Sequence, residues 1–338
     1  MTRGAGERGP FGTWGDWAEL LRVSALFTVP GDALAGAAAA RCGPNRGTAL
    51  AVCASLCLYE AGMALNDWAD RDIDAVERPG RPLPSGRIAP AAALTAATGL
   101  TAAGLLCAAA AGPPALATAT ALAGTVWAYD LGLKNTPAGP PAMGAARALD
   151  LLLGATASAH SAPVRSPRSA PAVPRSALRP AALLGAHTLA VTTVSRHEAT
   201  GGSSKAPLGA LATGAAIAWA ATRRPAPAPP TPSSNHRPAR RPSPQKGRGL
   251  VVARPAAVAT VAGAALAGGY MATLARPLAH AALNPSPYLL QRAVGSGIRA
   301  MIPLQAVLAS RAGAHRTAAG LLALMPVARR LSRKVSAT

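Results

Sequence analysis

Residues 88–129 run from Ile88 to Tyr129 without a single Lys, Arg, Asp or Glu. A bilayer span takes about 20 predominantly apolar residues. This stretch therefore holds two, turned back on each other at Gly112-Pro113-Pro114. A soluble helical bundle needs a polar face on its outer helices, and none can be drawn here. Only 14% of the chain is charged, against roughly 25% in an average soluble domain. Alanine supplies much of the apolar content; its small side chain makes each helix a weak span alone but lets helices pack closely in lipid. The pattern predicts an all-α, polytopic transmembrane bundle of about nine spans. They are placed near 18–40, 48–66, 89–111, 114–130, 140–160, 177–195, 207–222 and 250–275, with a further helical region at 298–331. The first fifteen residues lack the apolar core and cleavage site of a removable leader, so the first span is expected to stay in place.

The whole chain, 1–338, reads as one membrane domain with two interruptions. Residues 161–180 and 223–249 are rich in Pro, Arg and Ser and carry no balancing acid. Proline blocks helix propagation and few residues there can form a core, so both are expected to be extended or disordered. The net charge of +21 sits largely in these connectors and at span ends. That placement, with no aromatic-bearing basic face, argues against nucleic acid. The loop 67–89 holds Arg71, Arg78, Arg81 and Arg87, which puts it in the cytoplasm, at the cell (plasma or inner) membrane. Alternation then places both basic connectors outside, against the same rule. Cys42, Cys53, Cys57 and Cys107 fall in or beside spans; without further Cys or His nearby they read as small buried residues rather than metal ligands.

The chain has 13 acids, and six of them fall between Glu60 and Glu77, at the end of the second span. Carboxylates at membrane depth are expensive and mark function by default. On one helix, Asn66, Asp70 and Asp74 share a face, Asp67 lies beside it and Asp72 points elsewhere. Acids gathered on one stripe need a counter-ion, and a hard divalent cation such as Mg2+ suits oxygen ligands shared with phosphate. The alternative is a solvated loop entry. Arg78 and Arg81 follow in a proline-stiffened loop; a guanidinium fork suits phosphate oxygens, though it also suits a positive-inside anchor. Trp68, Trp127 and Tyr129 read as interfacial belt residues or as faces for a cation. Asp150, inside a span, reads as an i, i+3 partner of Arg147.

NDWADRDIDAVERPGRPLPSGRI, residues 66–88, resembles the first Asp-rich motif and following Arg-Pro loop of the UbiA family of intramembrane prenyltransferases. Arg22 and Asp32 upstream, and Tyr129, Lys134 and Arg147 downstream, are also similar to that family. The resemblance covers about residues 15–220. It implies a bundle around a cavity open to lipid, and transfer of a prenyl group from a prenyl diphosphate to an aromatic, polyol or lipid acceptor with Mg2+. Carried onto this sequence, Asn66, Asp67, Asp70 and Asp74 are the catalytic candidates. Arg78, Arg81, Lys134, Arg196 and Lys205 are the diphosphate candidates, and Asp67, Asp70, Asp74 and Glu198 the metal ligands.

The second Asp-rich motif of the family is reduced. The segment reads Val194-Ser195-Arg196-His197-Glu198, with Gly202 and Pro207 in the family's spacing, but only Glu198 remains of its acids. The expected partners are a prenyl diphosphate, an acceptor of unassigned identity and the bilayer. A second reading is a catalytically reduced family member that binds a polyprenyl lipid or assists transport. A CDP-alcohol phosphotransferase is disfavoured because Asp70 is followed by Arg71 and Asp72 in place of that family's D-G-x-x-A-R element.

Overall fold

Prolines stand at the first or second position of several helices, where the missing N–H would have no partner anyway. The computed structural model describes residues 12–162, 173–223 and 254–335, and among these there are α-helices and 3-10 turns but no strand. The order is α1 (Trp14–Leu20), α2 (Val29–Ala39), α3 (Arg46–Ala69), α4 (Arg71–Glu77), α5 (Pro90–Ala111) and α6 (Pro113–Leu131). Then come α7 (Gly139–His160), α8 (Arg175–Ser195), α9 (Lys205–Thr222), α10 (Arg254–Leu283), α11 (Pro287–Arg311) and α12 (His315–Val335). Helix α3 starts on a reciprocal cap: Thr48 N donates to Asn45 Oδ1 at 3.0 Å and Asn45 N to Thr48 Oγ1 at 3.1 Å.

Most expected spans coincide with helices, with two differences and one refinement. The first span, 18–40, is broken. α1 ends at Leu20, Arg22 turns left-handed at φ 49°, and a 3-10 segment, Val23–Thr28, leads into α2. The break turns the Arg22 guanidinium onto Asp67, 2.9 Å away. The region 298–331, expected only as helical, holds parts of two helices separated at Gly313, whose φ of 87° is a left-handed stop that glycine adopts without strain. Residues 175–180, counted in the first connector, open α8, which runs through Pro180. The remainder of both connectors, apart from 161–162, 173–174 and Arg223, lies outside the described residues.

Among the described residues, three helices, α3, α5 and α11, are long and apolar enough to cross a membrane by length and composition. The others are shorter or carry more polar residues, such as Arg147 and Asp150 in α7. Helix α5 carries no charge and is largely uncovered by protein, with Leu106 71% exposed. An outward apolar face of that kind is stable against lipid tails.

Glycine lets the inner helices touch backbone to backbone. A Cβ on Gly36 of α2 would lie 2.0 Å from Leu151 O of α7, and one on Gly154 of α7 would lie 2.3 Å from Ala33 O of α2. Gly144 and Gly185 make the same kind of contact between α7 and α8. Small residues at crossings are how helices associate in lipid, where no hydrophobic force separates helix from solvent. Around these contacts, Leu151, Leu184, Tyr270, Leu274 and Leu304 form one core, and Leu58, Leu122 and Leu153 another. His187 ties α8 to α10 and α11 through the Tyr270 hydroxyl, 2.9 Å, and Gly297 O, 3.0 Å. The cysteines are less buried than expected: Cys53 is exposed and the other three are half-buried.

Candidate functional site

The C-terminal ends of α3, α6 and α8 and the N-terminal ends of α7 and α9 meet at one end of the bundle. The Asp-rich motif sits there, though not on one continuous helix face. The chain kinks at Asp70 (φ −90°, ψ 1°) between α3 and α4. Backbone bonds hold on both sides of the kink, Asp70 N to Asn66 O at 2.9 Å and Asp74 N to Asp70 O at 2.8 Å. Asp74 therefore still turns toward Asp67.

Each acid meets a cation. Arg81 Nη1 lies 2.6 Å from Asp74 Oδ2 and 3.5 Å from Asp67 Oδ1, clamping the two carboxylates. Arg22 reaches Asp67 and Arg78 reaches Asp74 at 3.6 Å. Lys134, in the 3-10 turn Leu133–Asn135 before α7, is 2.6 Å from Asp70 Oδ1. Asp72 points outward, 84% exposed, as its spacing predicted. Asp67 and Asp74 are buried while Arg78 is largely exposed, so basic side chains cover the carboxylates from outside.

Among the described residues, no group of three His, Cys, Asp or Glu side chains could hold a metal ion. The expected ligands Asp67, Asp70, Asp74 and Glu198 are thus not a preformed cage. Arg81 stands between Asp67 and Asp74, and Lys134 holds Asp70.

The reduced second motif is a short non-helical link between α8 and α9. Arg196 there is exposed, and its guanidinium donates to Thr136 O. Glu198 is half-buried, and burial pushes its carboxyl above the ordinary value while the Arg78 charge pulls the other way. The two motifs therefore face each other across the same mouth. Lys205 is exposed at the first position of α9.

From this mouth a cavity of about 240 Å³ runs into the bundle between α3, α6 and α7. Its walls are apolar along Leu58, Met63, Leu122, Val126 and Met143. Asn66 and Asp130 stand at the outer end, where Asn66 Nδ2 donates to Asp130 Oδ1 at 3.1 Å. The sequence reasoning passed over Asp130. A signal was available: it is one of few acids, at the end of a span and four residues before Lys134. Tyr129 lines the cavity, but Trp127 and Trp68 do not. They pack with Leu20, Leu65 and Ile88, the indole N–H of Trp127 donates to Thr101 Oγ1 at 3.1 Å, and Arg71 stacks on Trp68. At the inner end stand Ser55, Arg147 and Asp150. The expected pairing of Arg147 with Asp150 is not made: Arg147 Nη2 lies 3.1 Å from Asp32 Oδ2 of α2, and Asp150 accepts from Ser55 Oγ instead.

The architecture is a helical bundle with paired carboxylates and basic side chains beside the outer end of an apolar-walled cavity. The UbiA prenyltransferase family profile matches residues 25–223, and the chain belongs to that family. Among curated relatives, protoheme IX farnesyltransferase of Acidiphilium cryptum is 44% identical over 80 residues, covering 22% of this chain and 25% of the relative. Digeranylgeranylglyceryl phosphate synthase of Ignicoccus hospitalis is 35% identical over 145 residues, covering 43% of this chain and 48% of the relative. The chain thus matches a quarter to a half of these relatives' lengths. In fold, it is similar to a digeranylgeranylglyceryl phosphate synthase structure in membranes, with TM-score 0.56, 17% identity, and coverage of 89% of this chain and 98% of that one. It is also similar to a UbiA homolog from Aeropyrum pernix K1, with TM-score 0.54, 19% identity, and coverage of 81% and 96%.

Proposed function

We propose that this protein transfers a prenyl group from a prenyl diphosphate to an acceptor inside the membrane. One observation carries the reading. Carboxylates Asp67, Asp70 and Asp74 are paired with Arg22, Arg81 and Lys134, and this cluster adjoins an apolar-walled cavity through Arg22 and Asn66, which line it. Such a mouth suits a diphosphate, and such a cavity suits its isoprenoid tail.

Mg2+ keeps several waters and takes one or two protein carboxylates beside substrate phosphates. Asp67 and Asp74, already brought together by one guanidinium, and Asp70 near them, fit an ion shared with phosphate rather than a closed cage. When bound, Mg2+ supplies charge stabilisation for a leaving diphosphate. The chain's own part is to release its cations. Arg81, Arg78 and Lys134 exchange a carboxylate for phosphate oxygens, and Arg196 joins them from the facing link. Fixed cations then stabilise the negative charge that develops as the allylic C–O bond breaks. The buried walls keep water from the carbocation. The active end faces the cytoplasm of the cell membrane in this reading, because the loop 67–89 is basic.

The reduced second motif, with Glu198 alone, favours one other reading, a lipid-binding member without turnover. The test is binding of a non-hydrolysable farnesyl diphosphate analogue to the full chain, with and without Mg2+. Binding that needs Mg2+ and is lost in Asp70→Ala supports transfer. Binding indifferent to both moves the assignment to the second reading.

A further inference from the structure

The end of the bundle opposite the mouth holds a second cavity, of about 290 Å³, between α2, α8 and α11. Helix α8 links the two ends: it starts at Arg175 on this cavity and stops at Ser195 beside the reduced motif, 21 residues or about 30 Å along. That is the thickness of a bilayer's hydrocarbon core, so the cavity lies at headgroup level on the far side. Four arginines line it, Arg41, Arg175, Arg179 and Arg311, and no acid does. Among the described residues, none of the four is in an ion pair. Beyond Asp150 the sequence holds one acid, Glu198, and that residue is at the mouth.

Two of these arginines have structural work. Arg179 Nη2 donates to Ala220 O at 3.1 Å. Arg311 Nη1 donates to Ala221 O, to Arg223 O at 2.8 Å and to Ala220 O at 3.2 Å, closing the C-terminal end of α9. Arg41 and Arg175 have no such work: both are exposed and, among the described residues, their guanidinium groups take no partner. Arg41 is also an unfavourable residue for its backbone. It follows α2 at φ 59°, with Arg41 N bonded to Ala38 O at 2.8 Å and Cys42 N to Ala37 O at 3.0 Å. That ending suits glycine, and a side chain there is strained. The strain sets a guanidinium on the cavity wall where glycine would end the helix without it.

Like charges gathered without a counter-charge repel one another, and an anion relieves this. Leu183 and Leu308 make part of the wall apolar, so an anion that carries hydrocarbon fits best. The neighbouring segments 163–172 and 224–253 contain arginine but no acid, so neither supplies the charge. We infer that this far cavity binds an anionic phospholipid, its phosphodiester among the four arginines and its chains against Leu183 and Leu308. Guanidinium groups fork onto phosphate oxygens, and basic pockets between membrane helices suit phosphate headgroups. Arg179 and Arg311, held by the carbonyls of α9, fix the phosphate's place; Arg41 and Arg175 close over it. The inference is independent of the prenyl-transfer reading.

The test is native mass spectrometry of the full chain in a non-ionic detergent, with phosphatidylglycerol or phosphatidylcholine of the same acyl chains. One arginine near an anionic lipid is worth about fivefold in affinity, so Arg41 and Arg175 together should give wild type a preference of roughly 25-fold for phosphatidylglycerol. Arg41→Gly/Arg175→Gln should lose most of it. Arg46→Gln/Arg316→Gln removes the same charge from two exposed arginines outside the cavity and should keep it. Equal preference in all three proteins would mean that overall charge attracts the lipid and overturns the site, as does no preference in wild type. Displacement of the lipid by equimolar glycerol 1-phosphate gives the arginines to a free phosphate and overturns the lipid. A second readout guards against misfolding. Glycine suits φ 59°, so Arg41→Gly should melt no lower than wild type in detergent alone, yet gain less from phosphatidylglycerol. The same gain as wild type overturns the role of Arg41 and the inference with it.

Discussion

The Lys134–Asp70 pair offers the sharpest test of how the mouth works. In the absence of ligand the ammonium lies 2.6 Å from the carboxylate. At an effective dielectric near 20 the gross attraction is about 6 kcal/mol. Desolvation cancels most of it, and a charge-assisted pair nets about 1.5–3 kcal/mol. The side chains are 12% and 24% exposed, so screening is partial and about 2 kcal/mol is the expected coupling. A double-mutant cycle with Lys134→Met and Asp70→Asn measures it as unfolding free energy in nanodiscs. If Lys134 leaves Asp70 for phosphate when donor binds, the coupling must fall toward zero with saturating farnesyl diphosphate analogue and Mg2+. The Lys134→Met variant should bind the analogue more weakly only by the amount by which the phosphate contact exceeds the Asp70 pairing that Lys134 gives up. A coupling that persists unchanged in the presence of bound analogue would falsify the exchange of partners and with it the proposed role of Lys134.

Other expectations are simpler to check. Asp74→Ala should abolish diphosphate-dependent turnover while yielding folded protein, because Asp67 keeps Arg22 as partner; near-normal turnover would remove Asp74 from the site. Gly154→Leu should cost at least the 1–3 kcal/mol of ordinary overpacking, since even a Cβ there meets Ala33 O at 2.3 Å; unchanged thermal stability in detergent would mean α2 and α7 are not in backbone contact. Asp16 accepts hydrogen bonds from the Thr13 backbone and side chain and pairs with Arg87, and its carboxyl is held down at about 2. A depressed carboxyl contributes stability that is present above its unfolded value and is lost as pH falls toward 2. The cap on α1 should therefore be insensitive to pH through the neutral range and fray only in strong acid, which amide exchange at residues 13–17 would show. Deleting residues 226–246 should leave detergent-stable protein; its loss would show that the segment is structural.

Much of the fold was written in the sequence. A charge-free run flanked by proline and glycine has one stable solution in lipid, a pair of helices, and α5 and α6 are that pair. The same logic set α3 and α7 through α9 within a few residues, because apolar length and proline position are local properties. The acid spacing marked Asn66, Asp67, Asp70 and Asp74 as neighbours, and the kink at Asp70 did not undo this, since the backbone bonds carry through it. Local pattern could not foresee that the first span breaks at Arg22, because the partner that rewards the break, Asp67, is forty-five residues away. Nor could it assign Arg147 to Asp32, or bring Gln305 from α11 onto the same carboxylate. Spacing governs which residues share a helix face. Which cation answers which carboxylate depends on helices meeting across the bundle, and only the tertiary structure decided that.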